Sequence, residues 1–277
     1  MKKVFLLIFI YLNTILYATT VKYIPIVMDD ITIFVPDSTL SFGLVAHYKF
    51  EGNTNDSSSN KNNGVSHGGI KYSTGIIGKS ASFDGVNDYI TINPKSNVSH
   101  IQNFTISVWT YLNAKNKNDI EGMRHYIFDG HAYSSNASNN NIFTDGFSLI
   151  YDITTYKSEI HNAISKGYGG YNISTELDTS YSFNNKWVHM SFVRENGIDY
   201  TYMNGKPIHP TYYRHSITDE ILNMQHQWFI GTFSGYNQNY IHSEYNYSYK
   251  GRLDDLRIYN RALNAFEIVK LYNIRKN

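Results

Sequence analysis

Apolar and polar side chains alternate along several stretches of this chain. In FTISVWTYL, residues 104–112, and in KWVHMSFVRE, residues 186–195, successive side chains fall on opposite faces of the pattern. Because side chains along a β-strand point alternately to its two sides, this period of two predicts strands. The second stretch carries large apolar residues on both faces, which predicts a strand near the centre of its sheet.

Glycine-containing turn signals separate these stretches. Asn204-Gly205 follows the run IDYTYM, and such a pair is typical of a type I′ hairpin turn, in which both central residues need a positive φ. Asp84-Gly85 follows Ala81 and Phe83 and predicts a second two-residue hairpin for the same reason.

A helical pattern is found only near the end of the chain. Asn264 and Glu267 have the spacing of an N-cap residue and its N3 partner, and Leu263 and Ile268 have the spacing of a hydrophobic staple. Many short strands followed by one helix predict an all-β fold, a two-sheet antiparallel sandwich with a short C-terminal helix.

The first residues, MKKVFLLIFIYLNTILYATT, place two lysines before a short apolar run that ends near Ala18. This order predicts a secretory signal peptide, residues 1–18, with cleavage after Ala18. The alternative is a membrane anchor, but Asn13 and Thr14 interrupt a run that is already shorter than the roughly 20 apolar residues a span needs. We therefore predict export, to the extracellular space, the cell surface or the periplasm, with no stable membrane span after cleavage.

Residues 19–43 stand apart from the rest of the chain. Within them, YIPIVMDDITIFVP has two short β-like runs separated by two aspartates and bordered by prolines. Proline is confined to edge strands and bulges within sheets, so the segment is either a linker or an added edge hairpin.

Charge and cysteine content narrow the classes of function. The formal net charge is +1, from 24 basic and 23 acidic residues without a dense basic run, which argues against nucleic acid as a partner. The chain has no cysteine, so disulfides and a thiol nucleophile are excluded. An exported chain of this kind is held by its core, by a metal ion, or by both.

Three segments together carry a family resemblance. They are LVAHYKFEGNTNDSSSNKNNG at residues 44–64, GKSASFDGVNDYITI at 78–92, and GRLDDLRIYNRALNAFEIVKLYN at 251–273. In this order they resemble the LamG-like jelly-roll domains, relatives of laminin G and of the concanavalin A-like lectins. The resemblance covers roughly residues 44–272. It implies one concanavalin A-like jelly-roll domain over residues 44–277, but it says little about function because the fold hosts many unrelated tasks.

The acidic strand LDDLRIY carries the best chemical signal. Asp254 falls on the same alternating face as Leu256 and Ile258, so a strand that buries those two residues buries Asp254 as well. A buried carboxylate must be paired or bound to a metal ion. The alternative is a salt bridge from Arg252 or Arg257.

Oxygen-rich side chains also crowd the loop GNTNDSSSNKNNG, and Ca²⁺ takes six to eight oxygen ligands from such carboxylates, amides and carbonyls. Many LamG-like domains hold a structural Ca²⁺ between loops of this kind. The resemblance implies the same here, with Asp56 and Asp254 as ligands and Asn63 as a weaker candidate. The other interpretation of the loop is a solvated turn.

Motifs for catalysis are missing from the sequence. The E-x-D-x-x-E strand of glucanases on this sandwich, which supplies paired carboxylates, does not occur, and neither do G-x-S-x-G, H-E-x-x-H or a Walker loop. The 11 histidines are scattered along the chain. We therefore predict that the protein is not an enzyme.

Tyrosine is the remaining candidate for a binding site. The 25 tyrosines include Tyr168 and Tyr171 in SKGYGGYN, and Tyr236 and Tyr240 in SGYNQNYIHSEYNYSYK, both interpreted as loops. A tyrosine ring combines a flat apolar face with a hydroxyl, which suits stacking on sugars. The alternative is compositional, since strands favour tyrosine in any case.

These features together predict an exported, non-catalytic binding or adhesion module for extracellular glycans or proteins, stabilised by calcium. Two alternatives stay open. One is a glycan hydrolase on a lectin-like sandwich, with a carboxylate pair that the sequence does not reveal. The other is a structural component of the cell envelope without a small ligand.

Overall fold

The computed structural model describes residues 23–28, 31–95, 98–113, 123–134, 142–144, 146–153, 158–165, 170–177, 185–208, 212–213, 223–233 and 247–274. The strands in this part of the chain are β1 (Tyr23–Met28), β2 (Ile31–Pro36), β3 (Leu44–Tyr48), β4 (Gly64–His67), β5 (Lys71–Thr74), β6 (Lys79–Asp84), β7 (Tyr89–Ile92), β8 (Phe104–Leu112), β9 (Met123–Asp129), β10 (Ala132–Ser134), β11 (Ile142–Thr144), β12 (Gly146–Ile153), β13 (Ser158–Ser165), β14 (Gly170–Leu177), β15 (Trp187–Glu195), β16 (Ile198–Met203), β17 (Lys206–Ile208), β18 (Tyr212–Tyr213), β19 (Trp228–Ile230) and β20 (Lys250–Tyr259). A 3-10 helix (Asp37–Ser41) precedes β3, and the helix α1 (Ala265–Asn273) follows β20.

Most strands form two antiparallel sheets, which confirms the predicted sandwich. The first sheet has the order β17-β16-β15-β8-β20-β6-β5. Strand β3 pairs with the C-terminal part of β20, from Leu256 to Tyr259. The second sheet has the order β18-β14-β13-β12-β9-β19-β7-β4. Strands β1 and β2 form an antiparallel hairpin that contacts α1, so residues 19–43 contain the predicted hairpin. This hairpin is a separate two-stranded sheet and does not lie at the edge of either large sheet, as that interpretation had placed it.

A large apolar core lies between the two sheets. Along β8, Phe104, Ile106 and Val108 belong to this core, and the residues between them face the other side of the sheet. Strand β15 has β8 on one side and β16 on the other, which confirms its predicted central place.

The two predicted hairpin turns have different outcomes. Asn204 and Gly205 have φ angles of 51° and 77° and join β16 to β17, as predicted. The prediction for Asp84-Gly85 is wrong, because β6 belongs to the first sheet and β7 to the second. The Asp84 carboxylate accepts hydrogen bonds from the backbone N–H groups of Val86 and Asn87, which turns the chain from one sheet towards the other.

The terminal helix covers part of the outer face of the first sheet. Its predicted capping box is present. The Asn264 side chain accepts a hydrogen bond from the backbone N–H of Glu267, and the Glu267 side chain accepts one from the backbone N–H of Asn264. Leu263 and Ile268 are both buried in a second apolar cluster beneath the helix. Tyr272 stacks on Trp109 of β8, with ring centroids 5.6 Å apart. Within the described ranges, no helix has the length and apolar content that crossing a bilayer requires.

A β-bulge interrupts the acidic strand β20. The register with β8 shifts between Asp254 and Arg257, and Asp255 has a φ of 49°. Leu253 and Leu256 both belong to the core, which a regular alternation would not allow. The prediction that Asp254 shares a face with Leu256 is therefore wrong, and Asp254 lies opposite Trp109 on the outer side of the first sheet.

Candidate functional site

Aromatic side chains line the outer face of the second sheet. Along β7, Ile90 and Ile92 belong to the core, so Tyr89 and Thr91 point away from it. His67 of the edge strand β4 lies directly opposite Tyr89 in the register. Both His67 and Tyr89 are half-buried, so their rings are partly open to solvent.

The rings on this face contact one another across three strands. His67 and Tyr89 stack with centroids 4.4 Å apart and an interplanar angle of 9°, and Tyr89 lies 6.4 Å from Phe229 of β19. His67 is also fixed by a 2.9 Å hydrogen bond between Nε2 and Oγ1 of Thr91. These contacts hold the two half-buried rings in a defined orientation. The entropic cost of binding a ligand to them is therefore lower than for mobile side chains.

A second ring group lies on the same side of the second sheet. Tyr126 of β9 is opposite Ile150 of β12, and both residues are outside the core cluster that contains their neighbours. The Tyr126 ring lies 5.1 Å from that of Phe233 and 5.8 Å from that of Tyr247. We call the six side chains His67, Tyr89, Tyr126, Phe229, Phe233 and Tyr247 the aromatic face.

Polar groups continue the row that starts at Phe229. The register places Phe229 opposite Asp129 of β9, and Asp129 opposite Ser148 of β12. Asp129 forms a 2.6 Å contact with Nδ1 of His131. Asp129, His131 and Ser148 are all buried, so they support the sheet next to the aromatic face rather than offering an open polar site.

The four tyrosines predicted as a platform are only partly covered by the described residues. Tyr168, Tyr236 and Tyr240 lie outside them. Tyr171 lies in β14 and not in a loop, which corrects the interpretation of its surroundings, and its side chain is outside the description. Their role in binding stays a prediction.

Sequence reasoning missed most of the aromatic face. Tyr247 belongs to the tyrosine-rich segment SGYNQNYIHSEYNYSYK, but composition does not distinguish His67, Tyr89 or Phe229 from other residues. The alternation of Tyr89 and Thr91 with two isoleucines was an available signal for an outward-facing strand side. The contact with His67 depends on the register between β4 and β7, which local sequence patterns do not predict.

The loop around Asp56 is held together by the carboxylate of that residue. Oδ1 of Asp56 accepts hydrogen bonds from the backbone N–H groups of His47, at 2.8 Å, and Ser58, at 2.7 Å. Oδ2 accepts from the Ser58 hydroxyl, at 2.7 Å, and from the Asn62 N–H, at 2.8 Å. Oδ1 of Asn63 accepts from the backbone N–H of Asp56, so both predicted ligands in this loop already bind protein donors.

Asp254 lies in a different environment. Its carboxylate is fully buried, and Oδ2 accepts hydrogen bonds from the backbone N–H groups of Ile76 and Ile77, each at 2.9 Å. In the part of the chain that the structure describes, Oδ1 has no hydrogen-bond partner. Burial, helped by the charge of the neighbouring Asp255, raises the pKa of Asp254 to about 7, although the hydrogen bonds from Ile76 and Ile77 oppose this rise. The alternative of a salt bridge to Arg252 or Arg257 does not apply among the described residues.

The pKa of Asp255 is shifted in the direction opposite to that of its neighbour. Burial opposes its charge, but the Arg257 guanidinium and a hydrogen bond to His47 outweigh burial and lower the pKa of Asp255 to about 2. Two carboxyl groups with separated pKa values are a feature of acid–base catalysis. Here both are buried and each is bound to its own protein partners, so neither carboxyl group is open to a substrate.

Calcium binding stays a prediction. Across the described ranges, no group of three or more histidine, aspartate or glutamate side chains is placed to hold a metal ion. Asp56 and Asn63 are together in one loop, but their oxygens accept hydrogen bonds from the protein. Of the three predicted ligands, Asp254 retains a carboxylate oxygen without a partner among the described residues.

A family model matches most of the chain. The model described as the concanavalin A-like lectin/glucanases superfamily covers residues 84–269, which include strands of both sheets, the aromatic side chains from Tyr89 onwards and most of α1. No curated protein matches the sequence.

Solved structures have a similar fold at low sequence identity. Domain 4 of AbnA, a GH43 extracellular arabinanase from Geobacillus stearothermophilus in complex with arabinotriose, matches with a TM-score of 0.54 and 20% identity, over 83% of this chain and 98% of that one. The binding domain of Paraclostridial Mosquitocidal Protein 1 matches with a TM-score of 0.57 and 22% identity, over 85% of this chain and 53% of that one. The botulinum neurotoxin serotype G binding domain matches with a TM-score of 0.61 and 18% identity, over 84% and 51%. This chain therefore spans about half the length of the toxin binding domains.

Proposed function

Since the chain belongs to the concanavalin A-like lectin/glucanases superfamily, we propose that it is an exported, non-catalytic module that binds extracellular glycans. The observation that carries this proposal is the aromatic face, with four half-buried rings, His67, Tyr89, Phe233 and Tyr247, on the outer side of one sheet. Partly exposed rings held in fixed orientations suit stacking against the apolar faces of sugar rings.

The related structures support a binding role. The arabinanase domain was solved in complex with arabinotriose, and the two toxin structures are binding domains by name. These likenesses are below 25% identity, so they support the fold, and the ligand class comes from the aromatic face. A protein ligand with exposed aromatic or glycosylated surface is the alternative partner for the same face.

The proposal of a non-catalytic role rests on the carboxyl groups. A glycosidase needs two carboxyl groups on either side of a cleft that the substrate enters. Among the described residues, the carboxyl pair with the most strongly separated pKa values is Asp254 and Asp255, and both are buried against protein donors. The absence of the glucanase motif from the sequence points the same way.

The role of the aromatic face can be tested with single ring removals. For the best ligand from a panel of plant, bacterial and animal oligosaccharides, Tyr89→Ala is expected to weaken binding by about tenfold, because one stacking ring is lost. Tyr200→Ala is a matched control, since Tyr200 is 40% exposed on the first sheet, away from the aromatic face. Equal affinities for wild type and Tyr89→Ala, with unchanged melting temperatures, would contradict the proposed site.

A structural calcium ion is a further part of the proposal, based on the family resemblance. An ion that binds only the folded state adds RT ln(1 + [L]/Kd), about 2.7 kcal/mol at a hundredfold excess over Kd. Wild type is therefore expected to melt at a higher temperature in calcium than in chelator. Equal melting temperatures, together with no bound metal in elemental analysis, would remove calcium from the proposal.

A further inference from the structure

A second aromatic group lies on the opposite side of the sandwich and includes a positive charge. Trp187 of β15 is opposite Tyr111 of β8 in the register, and Tyr111 is opposite Arg252 of β20. The Arg252 guanidinium carbon lies 3.8 Å from the centroid of the Tyr111 ring and 5.1 Å from that of Trp187. We call Trp187, Tyr111 and Arg252 the basic row.

The basic row is open because α1 does not extend over it. The next row of the same sheet, which contains Trp109 and His189, is buried and contacts Tyr272 of the helix. The three members of the basic row are instead half-buried. Their flat groups are therefore accessible along one line across three neighbouring strands.

Arg252 is fixed in place without a counter-charge among the described residues. Its ring contacts and a 2.9 Å hydrogen bond from Nη1 to the backbone oxygen of Thr74 hold the guanidinium. A guanidinium has five N–H donors, and in the described part of the chain no carboxylate lies within ion-pair distance of Arg252. Asp254, the nearest carboxyl along this face of β20, is bonded to the backbone of Ile76 and Ile77 instead.

Other cations border the row. The register continues from Arg252 through Ser82 of β6 to the exposed Lys71 of β5, while the half-buried Lys250 lies on the same strand as Arg252. The charge of Lys71 also opposes the burial that raises the pKa of Asp88, and Asp84 lies opposite Lys250. Both lysines therefore have an acidic neighbour, whereas among the described residues Arg252 has none within ion-pair distance.

The geometry points to a binding site in which the basic row holds a sugar residue that carries an anionic group. The Trp187 ring, which meets the Tyr111 ring edge-on at an interplanar angle of 61°, would contact the apolar face of the sugar. The N–H donors of Arg252 other than the one bonded to Thr74 would bind the carboxylate or sulfate of the sugar in a charge-assisted pair. The hydroxyls of a neutral sugar can also accept from Arg252, but a carboxylate or sulfate forms the stronger charge-assisted pair, so the row favours acidic glycans. This inference rests on the glycan-binding role proposed above, but it concerns a different surface from the aromatic face.

Matched ligands test the inference without any mutation. Oligogalacturonate is compared with its fully methyl-esterified form, and sulfated heparin oligosaccharides with their desulfated forms, by calorimetry at low and moderate salt. We expect at least one acidic form to bind at least tenfold more tightly than its neutral counterpart, with affinity that falls as salt rises. The oligogalacturonate and heparin arms distinguish a carboxylate from a sulfate as the bound group. Equal affinity for the acidic and neutral forms of both pairs, or no binding of any acidic form, would overturn the inference.

Variants locate the binding. Arg252→Gln is expected to remove the preference for the acidic form, Arg252→Lys to keep part of it, and Trp187→Ala to weaken the acidic form about tenfold. Lys71→Gln is the matched control, because it removes an exposed cation outside the row. Selectivity that survives in Arg252→Gln would overturn the inference. Weaker neutral-glycan binding in Tyr89→Ala, with acidic binding unchanged, would confirm two separate surfaces.

Discussion

Asp56→Asn is expected to lower the free energy of unfolding by roughly 2–4 kcal/mol, in chelator as well as in calcium. The carboxylate of Asp56 is buried and accepts four hydrogen bonds from its own loop and from β3. An amide of the same shape keeps one oxygen and places an NH₂ group where two donors now point. Buried donors without an acceptor, in place of charge-assisted bonds, account for a loss of this size.

Urea unfolding at neutral pH measures this effect. Asp84→Asn is the control, because the Asp84 carboxylate also accepts two backbone hydrogen bonds but is exposed, and a change of less than about 1 kcal/mol is expected there. A variant at Asp56 that is as stable as wild type in chelator and weaker only in calcium would show that Asp56 binds the ion and not the loop.

The opposite sign is expected for Asp254→Asn above neutral pH. The pKa of Asp254 is raised from 3.8 to about 7 in the folded protein, so the folded state keeps a proton that the unfolded chain releases near pH 4. Stability is therefore lost as pH rises from about 4 to 7, because the unfolded chain ionises more easily. Asparagine does not ionise, and its oxygen can still accept from Ile76 and Ile77.

The gain for this variant is expected to be about 2–4 kcal/mol at pH 8 in chelator and close to zero at pH 4, from 1.36 kcal/mol per pKa unit. Unfolding free energies of both proteins across this pH range test it. Asp255→Asn is the matched control. It is expected to lower the free energy of unfolding, because it breaks the contacts with His47 and Arg257. Equal destabilisation by Asp254→Asn at every pH would mean that the protein needs the charge, and that a bound cation balances it.

Much of the fold could be predicted from local patterns. The alternation in β8 and β15, the Asn204-Gly205 turn and the capping box of Asn264 each depend on residues close together in the chain. Sheet membership depends on distant pairings, which is why Asp84-Gly85 was interpreted as a hairpin although β6 and β7 lie in different sheets. The bulge at Asp255 is equally invisible in the sequence, and it changed the face on which Asp254 lies.

The candidate surfaces were harder to predict for the same reason. His67, Tyr89 and Phe229 come from three strands far apart in the sequence, and only the register of β4, β7 and β19 brings their rings together. Trp187, Tyr111 and Arg252 meet in the same way on the other sheet. The tyrosine-rich segments stand out by composition, whereas strand pairing brings together the rings of the aromatic face and of the basic row.

The most direct test of the proposed function is a glycan-array screen of wild type beside the double variant His67→Ala/Tyr89→Ala. Both side chains are half-buried and outside the core, so the double variant is expected to fold. If the aromatic face binds glycans, wild type retains a defined subset of neutral oligosaccharides and the double variant loses that subset at the same protein concentration. An identical profile for the two proteins, or no glycan bound by wild type, would contradict a glycan-binding role for this face.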